Sequence, residues 1–367
     1  MNIDKSFEGT FLSQFKRKLL KWYDQNGRDL PWRRTTNPYH IWLSEVMLQQ
    51  TQVQTVIPYF ERWLQAMPDI RHVAQTSLDR ILKLWEGLGY YARARNFHKA
   101  ARIVVDKFGG DLPDSYPELA ALPGFGPYTT AAVLSIAFNR NYAVLDGNVI
   151  RVLCRILNID SDVNLPETKR SLARHAQVLL DTKRPGDFNQ AIMELGAVIC
   201  APGIPACKNC PVRSHCLAYR EGDPSRLPVK ARKEPVPHHD VAAGIILKDS
   251  RILIAQRNHN DMLGGLWEFP GGKRERDETL EECLVREIKE ELAIEIQVDE
   301  KFMVLRHAYT HFKITLHVFL CRYLGGMPKA LECADWRWVM SGELSNFAFS
   351  RADQKVLEKF ISTLAND

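Results

Sequence analysis

The hydrophobic period of the chain changes once, and that change limits the fold more than any other feature. Up to about residue 222 the apolar side chains recur at helical spacing, as in Trp42, Val46, Met47 and Val53 and again in Ala131, Leu134 and Phe138. Beyond residue 239 short β-branched runs take over, at 241–247 and 251–255 on either side of Lys248-Asp249-Ser250, and residues 312–319 alternate. Between these regions lies a stretch of prolines and charges with no period, which reads as an extended linker over 223–239. The chain is therefore expected to be multidomain: an all-α domain over 1–222, the linker, and an α+β domain over 240–367. Its 367 residues suffice for a separate core in each part.

Charge follows the same division. Residues 1–240 hold 32 Lys and Arg against 24 Asp and Glu, whereas residues 241–367 hold 17 against 20. The basic part is the one expected to meet a polyanion. No charged-then-apolar leader and no bilayer-length apolar run is present, so neither secretion nor a membrane is expected. A cytoplasmic protein with reduced thiols follows.

Within the helical part, residues 115–122 can form a helix that stops at Pro123-Gly124, and Pro127 suits the first turn of the next helix, where its missing N–H costs nothing. This is a helix-hairpin-helix, spanning about 115–138. Gly124 and Gly126 allow close backbone approach, and the free N–H groups opening the second helix make an anion site suited to a DNA phosphate. Taken alone, Pro-Gly-x-Gly is as compatible with an ordinary turn between helices. Asp146 adds to it a carboxylate placed after the second helix, just before another helix expected to begin at Asn148.

With these residues the chain resembles the helix-hairpin-helix, Gly/Pro-Asp superfamily of DNA glycosylases, and within it adenine DNA glycosylases of the MutY type. The resemblance spans almost the whole chain: Trp32-Arg33, the run from Trp42 through Glu45, Leu48, Gln50 and Thr51 to Gln52, Gly87-Leu88-Gly89-Tyr90-Tyr91, the hairpin, Leu145-Asp146-Gly147-Asn148, Phe188-Asn189-Gln190 and a cysteine cluster. It implies removal of adenine mispaired with 8-oxoguanine, or with guanine, in double-stranded DNA, by a monomer acting in a bacterial-type cytoplasm at the nucleoid.

Breaking an adenine N-glycosidic bond leaves positive charge on the sugar and negative charge on the base, so an acid and a carboxylate divide the work. The resemblance gives Glu45 the protonation of adenine at N7 and Asp146 either the stabilisation of the sugar cation or addition to it as a transient nucleophile. Glu45 lies in an apolar stretch, where burial would raise its pKa and keep a proton available near neutrality. Lyase members of the superfamily carry a lysine where this chain has Tyr128, which cannot form a Schiff base, so a monofunctional enzyme is expected. Asn148 would hydrogen-bond within the catalytic group; by itself it would be a helix cap. By resemblance Gln50 and Tyr90 wedge into the base stack, Trp32, Arg33, Leu48 and Gln190 contact the adenine in its pocket, and Thr51 joins the residues that bind substrate or DNA.

Cys200, Cys207, Cys210 and Cys216 follow the spacing C-x6-C-x2-C-x5-C within the loop 200–216. Four thiols this close point to metal, and spacing alone leaves zinc open. The resemblance implies a [4Fe–4S] cluster, with Lys208 and Arg213 facing DNA phosphate. Cys154, Cys283, Cys321 and Cys333 are scattered and read as small apolar fillers.

Residues 272–294 read as a Nudix box, with Gly272, Glu278 and Arg286-Glu287-Ile288-Lys289-Glu290-Glu291-Leu292-Ala293-Ile294; Ala293 alone departs from the usual glycine. Glu287, Glu290 and Glu291 fall on adjacent faces of a helix and could hold Mg²⁺ for pyrophosphate hydrolysis. Adenine glycosylases of this kind usually carry a degenerate version that recognises 8-oxoguanine instead. Tyr309-Thr310-His311 favours that use, since it occupies the place of the family's Phe-Ser-His loop. The alternatives are a fused nucleotide pyrophosphatase, or a catalytically silent protein that only marks lesions.

Overall fold

The computed structural model describes residues 9–231, 235–309 and 311–364, which form two compact units. One comprises residues 9–71 and 100–231, the other 72–99 and 235–364. The sequence reading keeps residues 72–99 within 1–222, so their place in the second unit is a difference between the two.

The helices run α1 Gly9–Asn26, α2 Pro38–Leu48, α3 Val53–Ala66, α4 Ile70–Gln75, α5 Leu78–Trp85, α6 Ala92–Phe108, α7 Tyr116–Ala120, α8 Pro127–Ile136, α9 Gly147–Leu157, α10 Pro166–Leu179, α11 Pro185–Val198 and α12 Leu217–Arg220. In the first unit Phe15 and Leu19 of α1 pack with Val152 and Leu153 of α9, Leu172 and Leu179 of α10, and Phe188 and Leu195 of α11. Burying each such side chain contributes on the order of 1.5–3 kcal/mol. α2 is apolar on nearly every side: Pro38 opens it, the Asn37 side chain caps the Tyr39 N–H, and Ile41 to Met47 are all buried. The helical spacing of Trp42, Val46, Met47 and Val53 is shared between two helices: α2 stops at Leu48, Gln50 takes a left-handed φ of 58°, and α3 starts afresh at Val53. The Thr51 N–H closes that turn on the Leu48 carbonyl.

The expected linker over 223–239 is only partly extended. Pro224–Arg226 forms a 3-10 turn, Leu227 is buried in the first unit's core with its carbonyl accepting from Arg155, and the first strand already begins at His238. The cause is simple: an apolar side chain and several backbone groups of the segment, among them those of Leu227, Val229 and Ala231, have partners that composition does not reveal.

The second unit is built on a seven-stranded sheet: β1 His238–Lys248, β2 Arg251–Gln256, β3 Trp267–Glu268, β4 Gly271–Lys273, β5 Glu295–Ala308, β6 Lys313–Gly325 and β7 Asp335–Met340. Its main order is β3-β2-β1-β6-β5, with β4 on β1 and β7 on β2. β1 and β6 run parallel, from His238 opposite Lys313 to Leu247 opposite Arg322, and the other pairs are antiparallel. A helix covers each face. α13, Leu280–Leu292, buries Cys283, Leu284, Ile288 and Leu292 in one core, while Val356 and Phe360 of α14, Arg351–Leu364, join Phe269, Phe349 and Ile254 in the other. Thr279 and Glu282 close a capping box at the start of α13.

Candidate active site and its surroundings

In the first unit a cavity of about 480 Å³ is lined by Trp32, Arg33, Glu45, Leu48, Gln50, Thr51, Tyr128, Asp146, Asn148 and Gln190. Residues spread over nearly 160 positions of sequence thus meet around one space. Glu45 reaches it from the buried α2, with only 5% of its surface exposed. The Tyr128 hydroxyl, from the first turn of α8, donates to Glu45 Oε2 at 2.6 Å. Burial pushes the Glu45 carboxyl up to about 7; Asp146 adds to that rise, while the Tyr128 hydrogen bond and Arg33 oppose it. Desolvation wins because nearly all the water that would solvate the carboxylate is excluded. Tyr128 is itself raised by burial and by the two carboxyls, so it stays a neutral donor.

Asp146 sits at the N-cap of α9. Its Oδ1 accepts the Val149 N–H at 2.7 Å and its Oδ2 accepts the Asn148 amide at 2.8 Å. Burial raises Asp146, and those hydrogen bonds hold it back. The helix begins at Gly147, one residue earlier than expected, so Asn148 is no cap. It is a bridge: its own Oδ1 accepts from Arg151, which also donates to the Gly196 carbonyl. Arg151 is thereby fixed behind the carboxylate.

Arg33, expected to contact adenine, lines the cavity while its guanidinium is bonded to protein. Its guanidinium donates to Glu194 at 2.9 Å, and Arg28 makes two further bonds to the same carboxylate at 2.7 and 2.8 Å. Burial would raise Glu194, but the hydrogen bonds from Arg28 and Arg33 prevail and hold it at about 2. Arg28, Met193 and Glu194 line the cavity and escape the sequence reading. The only available signal is that Glu194 lies four residues beyond Gln190, on the same face of α11. Trp32 is buried edge-on to Phe60, so its ring is held as a cavity wall.

The hairpin is formed as anticipated. Ser115 caps α7, Phe125 is buried and stacks on Trp42 at 5.2 Å, and Gly124 adopts a φ of 83° that favours glycine. Gly126 has ordinary backbone angles, and a Cβ there would meet nothing within 4 Å. Its lack of a side chain leaves room above the first turn of α8, where backbone N–H groups stand free for an anion.

Cys200, Cys207, Cys210 and Cys216 line a second cavity together with Arg155, Pro205 and Tyr219. Arg155 donates to Cys200 Sγ at 3.3 Å and to the Cys200 and Ala201 carbonyls. Burial pushes the Cys210 thiol up to about 12. Among the described residues no three ligating side chains converge closely enough for a single ion. The four thiols surround a space and do not meet at a point. Lys208 and Arg213 are exposed beside them. The remaining four cysteines are buried, as befits fillers.

In the second unit Arg286 binds three of the box's carboxylates, Glu278 at 2.7 Å, Glu287 at 3.0 Å and Glu290 at 2.9 Å. Glu291 is half-buried, with its carboxyl pushed up by desolvation to about 8 and its buried Oε2 lacking a hydrogen-bond partner. Tyr309 lies in the turn between β5 and β6, packed edge-on to His307 and against Phe312. His311 is exposed, and Thr310 lies outside the described residues. Tyr90 is 44% exposed and has a left-handed φ of 50°, between Gly87 and Gly89 on one side and Tyr91 on the other.

Comparison with known proteins also gives two parts, the first of them running through residues 72–99, which the structure groups with the second unit. Residues 43–181 match the family described as HhH-GPD superfamily base excision DNA repair protein, and residues 241–359 match the NUDIX domain. The chain is 36% identical to an adenine DNA glycosylase of Rattus norvegicus, over 95% of this chain and 78% of that protein. It is 33% identical to an adenine DNA glycosylase of Buchnera aphidicola subsp. Acyrthosiphon pisum, over 94% and 97%. Among solved structures, a thermostable thymine-DNA glycosylase superposes with a TM-score of 0.54 at 30% identity, covering 58% of this chain and 98% of that one.

Proposed function

The chain belongs to the adenine DNA glycosylase family, and from that membership together with the cavity geometry we propose that it removes adenine mispaired with 8-oxoguanine in double-stranded DNA, leaving the strand intact. DNA is its partner and hydrolysis of a glycosidic bond its reaction. The observation that carries the residue assignment is Glu45: a buried carboxyl titrating at about 7, facing the same cavity as Asp146.

In this reading Glu45 donates its proton to adenine N7 as the bond between C1′ and N9 breaks, and the bonding pair leaves with the base. Asp146, with Asn148 and Arg151 fixing it, faces the cation developing on the sugar. Water then supplies hydroxide to C1′ and its proton returns to a carboxylate. Tyr128 holds Glu45, and its lack of an amine accounts for a monofunctional enzyme. Trp32, Leu48, Thr51 and Gln190 shape the adenine pocket, and Gln50 and Tyr90 enter the base stack. Gly124 and Gly126 bring the hairpin backbone to a phosphate.

The four cysteines fit a [4Fe–4S] cluster, since they surround a cavity already walled by apolar side chains and oriented toward Arg155, a donor to sulfur. Such a cluster would brace the loop 200–216 and present Lys208 and Arg213 to DNA. Residues 1–222 then act as the glycosylase domain and 240–367 as the reader of 8-oxoguanine through Tyr309, Thr310 and His311. Arg286 favours reading over pyrophosphate hydrolysis, because it ties up Glu287 and Glu290, two of the three acids that Mg²⁺ would need. A monomer acting at a bacterial-type nucleoid completes the proposal; no helix among the described residues is long and apolar enough to cross a membrane.

The test is single-turnover release of adenine from a duplex holding one mispair with 8-oxoguanine. Glu45→Gln and Asp146→Asn should each lower the rate by roughly 10²–10⁴-fold. Wild-type rates in both variants would overturn the roles, and no preference for 8-oxoguanine over guanine would overturn the substrate.

A further inference from the structure

The second unit contains a backbone clamp that the reaction described above does not use. Between β7 and α14 the segment Phe347–Phe349 runs beside β3, where the Trp267 N–H donates to the Ala348 carbonyl at 2.8 Å. Three further backbone groups of the segment bond residues of α5 and the loop after it. Lys83 Nζ donates to the Phe347 carbonyl at 2.9 Å, the Phe349 N–H donates to Glu86 Oε1 at 2.9 Å, and the Tyr91 hydroxyl donates to the Phe349 carbonyl at 3.3 Å. Lys83 and Glu86 are themselves paired at 2.6 Å, and the Gly87 N–H donates to the Tyr91 oxygen at 3.2 Å. Both ends of the turn 86–91 are thus fastened to one extended segment.

That turn presents Tyr90. Gly87 and Gly89 have φ of 96° and 70°, Tyr90 itself 50°, and Arg93 is buried beneath, bonded to the Leu88 and Gly89 carbonyls and lying 5.5 Å from the Tyr90 ring centroid. A non-glycine residue in the left-handed region is held there at a cost of about 1–3 kcal/mol, so the surrounding bonds must over-determine it. The other face of the clamp bears the lesion-reading turn. Phe349 stacks on Phe269 at 5.8 Å, both belong to the core against which Tyr309 packs, and Ser350, next in the chain, donates to Asp353 at 2.6 Å beside Tyr309.

We propose that Glu86 is a positioning residue: by gripping the Phe349 backbone it sets the conformation of the turn that carries Tyr90, on the same segment that supports the Tyr309 turn, so that recognition of 8-oxoguanine and insertion of the tyrosine act as one event. This rests on the proposed function, in which both elements touch DNA. Opening the clamp leaves Tyr90 attached but free to leave its strained conformation, and the stacking energy it can deliver falls accordingly.

The experiment is a double-mutant cycle on the full chain. Single-turnover excision is measured opposite 8-oxoguanine and opposite guanine, and stacking next to the lesion is followed with a fluorescent base analogue. Glu86→Ala should slow excision opposite 8-oxoguanine by roughly ten- to a hundredfold, with a smaller loss opposite guanine and a fluorescence change like that of Tyr90→Ala. In the Tyr90→Ala background it should add almost nothing. Glu86→Gln, whose amide oxygen still accepts the Phe349 N–H, should recover most of the rate. Additive losses, or equal losses on both substrates with altered melting, would reduce Glu86 to a structural residue and overturn the inference alone. A wild type without preference for 8-oxoguanine would overturn it together with the reading on which it rests.

Discussion

Removing the Tyr128 hydroxyl should move the pH at which Glu45 loses its proton, and the direction is fixed by the structure. Burial raises that carboxyl to about 7, and the 2.6 Å bond from Tyr128 is the largest influence opposing the rise. A hydrogen bond to a charged group is worth about 1.5–3 kcal/mol, and each pH unit corresponds to about 1.4 kcal/mol. Tyr128→Phe should therefore raise the Glu45 pKa by roughly one to two units, since the carboxylate loses more than the acid does. In the proposed reaction excision needs the protonated form, so the wild-type single-turnover rate should fall as pH rises through about 7. In the variant that fall should shift to roughly pH 8–9. At pH 8 the protonated fraction would climb from roughly a tenth to between a half and nine-tenths, while the plateau at low pH drops because the carboxyl is less well oriented. The assay is the rate of adenine release between pH 5.5 and 9.5 with DNA saturating. A midpoint that stays in place, or moves to lower pH, would refute the argument that burial and this hydroxyl set the acid.

The same burial predicts a stability effect. A carboxyl raised from 4.5 to about 7 leaves stability intact below pH 4.5 and removes it as pH rises to 7. Glu45→Gln should then be more stable than wild type by about 3 kcal/mol at pH 8 and by almost nothing at pH 4, as read by denaturant unfolding. Borohydride should not trap the wild type on DNA, and the strand should break only on later heating in alkali; efficient trapping would contradict a tyrosine at position 128 as the reason for monofunctional chemistry. Cys207→Ser should lower iron content and weaken DNA binding, and elemental analysis showing one zinc and no iron in the wild type would replace the cluster while leaving the glycosidic chemistry in place.

Much of the candidate cavity was legible because its residues sit at positions with local meaning. Asp146 precedes an amphipathic run and so could be read as the start of a helix, and Pro123-Gly124 announces a turn whatever lies around it. Glu45 was legible as a polar residue in an apolar run, and the buried α2 explains its shifted acidity. What escaped is held together across long stretches of chain. Glu194 bonds Arg28 and Arg33 at separations of 166 and 161 residues, and no local pattern marks a helical glutamate for such partners. The membership of residues 72–99 in the second unit depends on bonds such as Lys83 to Phe347, 264 residues away. The break at Gln50 was hidden for the opposite reason: hydrophobic spacing continues across it, and only the backbone angle reveals the turn.

The placing of Asp146 at a helix start has a consequence for the barrier itself. In water, a nascent sugar cation is met by dipoles that must first turn toward it, and that turning is a large part of what makes the uncatalysed bond so durable. Here both carboxylate oxygens are already pinned, one by the Val149 N–H and one by Asn148, whose own orientation is set by Arg151. In the proposed reaction this carboxyl group is already in position when charge appears on the sugar, so little medium remains to reorganise. The energy of ordering was settled in the folding of α9, long before any DNA arrived.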